Sequence, residues 1–98
     1  MKIYISGKIS GLSESEYTEN FRNTESYLRF ERGFKNIVNP LKIKPFLGIK
    51  SWRCYMIADI HQLLKCDAIY MMDNWHNSKG ARLELAIALL FKKKICGK

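Results

Sequence analysis

The feature that most constrains this chain is the spacing of its apolar runs. Ile3-Tyr4-Ile5, Ile37-Val38 and Ala68-Ile69-Tyr70-Met71-Met72 are short and nearly free of polar interruption. Such runs fit strands buried on both faces, because a half-exposed strand would alternate apolar with polar. Helix-periodic stretches lie between them. Ser13 and Glu16 have capping-box spacing, Tyr17, Phe21, Thr24 and Leu28 follow at helical intervals, and Gly33 is placed to end that helix. Ser51 can cap a second helix, with a stripe of Trp52, Tyr55, Met56, Ile60, Leu63 and Leu64, and Ser78 can cap a third that runs to about Phe91.

Strands are expected at Lys2 to Ser6, Asn36 to Val38 and Ala68 to Met72, with a brief last one at Lys94 to Cys96. Strands alternating with helices predict an α/β domain: a three-layer open parallel sheet of about four strands, order 2-1-3-4, with helices on both faces, flavodoxin- or Rossmann-like. Asn39-Pro40 stops the second strand, since proline cannot extend the ladder. The stretch from Leu41 to Lys50, with Pro45, Gly48 and no clear period, reads as a mobile cover. Ninety-eight residues suit one domain over 1–98 with a modest core, which predicts a homo-oligomer.

In such sheets ligands bind outside the carboxyl ends of the strands, at the switch point. This gathers Ser6, Gly7 and Lys8, then Asn39, then Asp73, Trp75, Ser78 and Gly80 around one crevice as candidate substrate contacts. Glu84 is the most informative residue. Its helical neighbours are Gly80, Ala81, Ile87 and Ala88, a small and apolar stripe in which a carboxylate is unexpected. It is either a ligand-facing group or a glutamate paired locally with Arg82 or Lys79. Asp59, among Tyr55, Met56 and Leu63, shows the same anomaly. It is either a structural hydrogen-bonding group or an acid whose pKa burial has raised toward neutrality.

The loop Gly7-Lys8-Ile9-Ser10-Gly11 is neither a Walker loop nor a three-glycine dinucleotide fingerprint. Trp52, Trp75 and Tyr4 are candidate stacking surfaces, with Trp75 preferred for its polar loop, and His61 and His76 read as surface residues. Cys54, Cys66 and Cys96 have no metal or redox spacing and read as reduced thiols; no metal or organic cofactor is expected. A formal charge of +8 favours anionic partners, although Lys92-Lys93-Lys94 fits a helix end. No stretch approaches membrane-spanning length, and a cytoplasmic protein is expected.

The chain resembles the nucleoside 2-deoxyribosyltransferase-like superfamily. The resemblance is carried by Lys2-Ile3-Tyr4-Ile5-Ser6-Gly7-Lys8-Ile9-Ser10-Gly11, Val38-Asn39-Pro40, Tyr55-Met56-Ile57-Ala58-Asp59, Cys66-Asp67-Ala68-Ile69-Tyr70, Trp75 and Ser78-Lys79-Gly80-Ala81-Arg82-Leu83-Glu84. It implies Glu84 as a nucleophile on an anomeric carbon, Tyr4 as the residue that positions it, and Asp59 as the proton carrier for the departing base. Ser78 and Gly80 would lie beside the sugar or a 5′-phosphate. The implied substrate is a 2′-deoxynucleoside or its 5′-monophosphate, whose N-glycosidic bond is cleaved or exchanged through a glycosyl-enzyme. A non-catalytic nucleotide sensor using the same crevice is the alternative, and a basic nucleic-acid-binding protein is the third reading. This chain is shorter than typical transferases, so a neighbouring subunit is expected to complete the site.

Overall fold

Every second residue of the first strand points to the same face, and that alternation sorts the core into two halves. In the computed structural model, which describes residues 1–97, β1 (Lys2–Ser6) runs through the middle of a four-stranded sheet. Ile3 and Ile5 face α1 (Glu14–Phe30), packing with its Phe21 and Leu28. Tyr4 faces the other way, toward α2 (Trp52–Leu64) and α3 (Lys79–Leu90), into a cluster with Leu63, Ala81 and Ala88. The same split recurs in β3 (Ala68–Met71), where Ala68 and Tyr70 join the first cluster and Ile69 and Met71 the second. The architecture is therefore three-layered α/β.

The strand order is β2-β1-β3-β4 and every pairing is parallel, with Ile3 opposite Ile37 of β2 (Asn36–Val38) and Ala68 opposite Lys94 of β4 (Lys94–Gly97). This is the 2-1-3-4 topology expected from the sequence. The brief last strand forms and extends one residue further, to Gly97, whereas the third strand stops at Met71 rather than Met72.

The expected caps hold the helices. Ser13 and Glu16 form a reciprocal capping box, while Ser51 and Ser78 each accept an amide of the first turn through the side chain. Gly33 adopts the left-handed conformation beyond α1 (φ 74°), and Phe34 N–H closes back on the Leu28 carbonyl. The lysine run serves a different helix from the one it follows: Lys93 Nζ donates to the Leu64 carbonyl at the end of α2, at 2.8 Å.

One expectation needs correction. The stripe on α2 is not a continuous buried face, because Trp52, Tyr55 and Leu64 are exposed and only Met56, Asp59 and Leu63 are buried. The segment after Asn39, expected as a mobile cover, contains two short 3-10 turns, Pro40–Lys42 and Phe46–Gly48. Among the described residues, no helix is long and apolar enough to cross a membrane.

Candidate active site

Tyr4 and Ser6 are two residues apart on β1, so both point to the face covered by α3. Glu84 meets them there, one turn and a half into α3. Tyr4 Oη donates to Glu84 Oε2 and Ser6 Oγ donates to Glu84 Oε1, both at 2.6 Å. All three residues are buried, Tyr4 and Ser6 completely. Neither salt bridge among the described residues involves Glu84. The carboxyl is thus held by two neutral hydroxyls in place of a cation, and the local pairing with Arg82 or Lys79 is not formed.

Removing a carboxylate from water without a compensating cation favours its protonated form. Burial accordingly raises the Glu84 pKa to about 7, and the hydrogen bonds from Ser6 and Tyr4 pull in the opposite direction. The same burial, together with the nearby Glu84 and Asp59 charges, pushes the Tyr4 phenol well above its ordinary range, so it remains a donor.

Asp59 comes from the second turn of α2 and is only 8% exposed. Its Oδ1 is buried with no hydrogen-bond partner. Burial first, and the Glu84 charge second, raise its pKa to about 8. Two acids whose pKa values burial raises therefore share one pocket, and the charge on Glu84 disfavours ionisation of Asp59. Carboxyls raised toward neutrality inside one cleft mark a candidate site for acid–base chemistry.

Both carboxyls open into a cleft of about 860 Å³ at the carboxyl edge of the sheet. Gly7 and Asn39-Pro40 lie at the ends of the first two strands, and Ser78, Gly80 and Ala81 form the start of α3. The N-terminal part of α1 lines the side opposite α2 and α3 through Glu14, Tyr17, Thr18, Arg22 and Glu25. Gly7 is required by close packing, since a Cβ there would collide with Met72 Sδ. At Gly80 a Cβ would sit 3.2 Å from Met56 Sδ and 3.9 Å from Ser78 Oγ, filling space beside the cap. In the first turn of α3 the Ala81 amide is accepted by Ser78 Oγ, while the Lys79 and Gly80 amides have no intrahelical acceptor.

The other anticipated contacts divide. Asn39, Ser78 and Gly80 line the cleft with Gly7. Asn39 is largely used locally: its Oδ1 accepts from Leu41 N–H and its Nδ2 donates to Glu25. Ser6 lies beneath Glu84, as a partner of the carboxyl. Lys8, Asp73 and Trp75 do not line the cleft. Lys8 N–H is bonded to Asn74 Oδ1, and its ammonium lies near Gly11. Asp73 is exposed, while Trp75 packs against the α2/α3 core cluster and stacks on His76 with centroids 4.2 Å apart. The tryptophan in the cleft is Trp52, with Lys79 Nζ 5.2 Å from its ring centre.

The α1 residues of the cleft were missed because they belong to the ordinary polar flank of an amphipathic helix. The role of Ser6 had a signal, namely its i, i+2 relation to Tyr4. No group of three or more His, Cys, Asp or Glu side chains suited to a metal ion occurs among the described residues, and all three cysteines are free thiols.

Fold and site together define an open parallel α/β domain with two buried carboxyls, one of them held by hydroxyls, at the carboxyl edge of its sheet. Within that class the chain belongs to the DUF4406 family, a domain of unknown function whose model matches residues 1–97. No curated protein and no solved structure gives a significant match.

Proposed function

We propose that the protein cleaves or exchanges the N-glycosidic bond of a 2′-deoxynucleoside or its 5′-monophosphate, with Glu84 as nucleophile and Asp59 as proton carrier. The observation that carries this reading is the buried Glu84 carboxyl, gripped by Tyr4 and Ser6 and sharing its cleft with an unpartnered Asp59. A carboxylate nucleophile splits the displacement into two easier steps through an oxocarbenium-like transition state.

In the first step a Glu84 oxygen bonds to C1′ while the C1′–N bond breaks. The bonding pair leaves with the base, which takes the Asp59 proton. In the second step Asp59, now a carboxylate, accepts a proton from water or from an incoming base. That nucleophile bonds to C1′ and Glu84 departs as the carboxylate. A 2′-deoxy sugar lacks the hydroxyl that destabilises the cation inductively, which favours deoxynucleosides. The open start of α3 with Ser78 supplies donors for the sugar or a 5′-phosphate.

We place the reaction in the cytoplasm, in keeping with three free thiols, and infer association with a second copy, for which exposed Leu83, Leu89, Leu90 and Phe91 offer apolar surface. The test is mass spectrometry of the protein mixed with deoxynucleosides and their monophosphates, following free base and a deoxyribosyl adduct on the Glu84 peptide. Base release with an adduct, both lost in Glu84→Gln, supports the assignment. An active Glu84→Gln protein removes it, and nucleotide binding without release favours the sensor.

A further inference from the structure

The cleft is larger than its reacting floor, and its cations are grouped. Arg22, Arg29 and Lys42 line the α1 side, while Lys79 lies at the start of α3. About 860 Å³ is near the upper end of the roughly 300–1,000 Å³ typical of small-molecule sites. Glu25 engages two of the α1-side cations, Arg29 NH2 at 3.2 Å and Lys42 Nζ at 3.6 Å, and also accepts from Asn39. One carboxylate cannot neutralise both, and neither of its ion pairs involves Arg22. Arg22 makes no ion pair among the described residues, and Glu14, the other acid of this wall, lies two helical turns away, about 12 Å along the axis. The α1 wall is thus net positive, and its Arg22 guanidinium is not ion-paired among the described residues.

We propose that Arg22, backed by Arg29 and Lys42, forms a second anion subsite, so that the preferred ligand is a nucleotide with phosphoryl groups on both sides of its sugar, of the nucleoside 3′,5′-bisphosphate class. The inference rests on the nucleotide reading of the Glu84 site. A sugar presenting C1′ to the carboxyls on the floor carries its 5′ and 3′ oxygens toward opposite walls. One phosphate then meets the start of α3 and Lys79, and the other meets Arg22, whose planar fork suits bidentate contact with phosphate oxygens. The floor carboxyls repel anions, so each phosphate is directed to a wall and away from the reacting carbon.

The experiment is calorimetric titration of the full chain with 2′-deoxyadenosine 3′,5′-bisphosphate, the 5′-monophosphate and the 3′-monophosphate, together with an assay of adenine release. The bisphosphate should bind at least about tenfold more tightly than either monophosphate. That preference should collapse in Arg22→Ala and reverse in Arg22→Glu; both substitutions are at an exposed helix position that permits folding. Equal affinities, a preference that survives Arg22→Ala, or no binding of any of the three would overturn the proposal. Adenine release from the monophosphate without a bisphosphate preference leaves the Glu84 reading standing and removes the subsite. An Arg22-dependent preference without release does the reverse.

Discussion

Ser6→Ala deletes one oxygen atom from beneath Glu84 and should move the pH dependence of the proposed reaction. In the native protein the fully buried Ser6 hydroxyl donates to Glu84 Oε1 at 2.6 Å. A hydrogen bond to a charged group contributes roughly 1.5–3 kcal/mol, and one pKa unit corresponds to about 1.4 kcal/mol. Because the bond favours the carboxylate, its loss raises the Glu84 pKa, by about 1–2 units on these figures. The starting value of about 7 would then lie above neutrality. The charged form of Glu84, which the proposed displacement needs, would then be scarce at pH 7. The assay is the pH profile of kcat/KM for base release. Its acidic limb should shift to higher pH by about one unit or more, and the rate at pH 7 should fall by roughly tenfold. A Ser6→Ala protein that is folded, active and unshifted in its acidic limb would refute the claim that this hydroxyl sets the charge on Glu84.

Asp59→Asn should remove the alkaline limb near pH 8 and slow release of natural bases far more than release of an activated leaving group that needs no proton; equal losses for both would count against proton transfer. Glu84 and Asp59 both have folded-state pKa values above their ordinary 4.5 and 3.8, so the folded protein binds the extra protons. Their joint contribution to stability is therefore greatest at low pH and is lost as pH rises from about 4 to 8. Urea unfolding of Asp59→Asn should show a shallower decline across that window than the native protein. Gly7→Ala should cost about 1–3 kcal/mol through overpacking against Met72, read as a lowered urea midpoint and partly relieved by Met72→Ala. Ligand binding should change the fluorescence of Trp52, which lines the cleft, so the response should disappear in Trp52→Phe and persist in Trp75→Phe.

The elements and their order were determined by the sequence alone, because each rests on local rules. Uninterrupted apolar runs marked strands covered on both faces, capping serines marked helix starts, and strict alternation of the two made a parallel sheet the economical arrangement. Glu84 and Asp59 were detectable for a related reason: each is a carboxylate inside an apolar helical stripe, an inconsistency that local pattern cannot resolve and a site can. The choice between those alternatives required tertiary structure. Whether Glu84 met Arg82, Lys79 or the hydroxyls of Tyr4 and Ser6 depended on how α3 lies across β1, a contact between residues about eighty positions apart. The same holds for Trp75 and Trp52. A tryptophan in a polar loop looked available, yet loop closure packed it against the core, whereas the tryptophan opening a helix was left at the cleft. Arg22 and Glu25 carried no local signal, since polar residues on the outer flank of a helix look alike until the sheet fixes which flank borders a cleft. Periodicity is a property of neighbours along the chain and can be read from it; which side chains share a cavity is a property of packing, and only the assembled layers decide it.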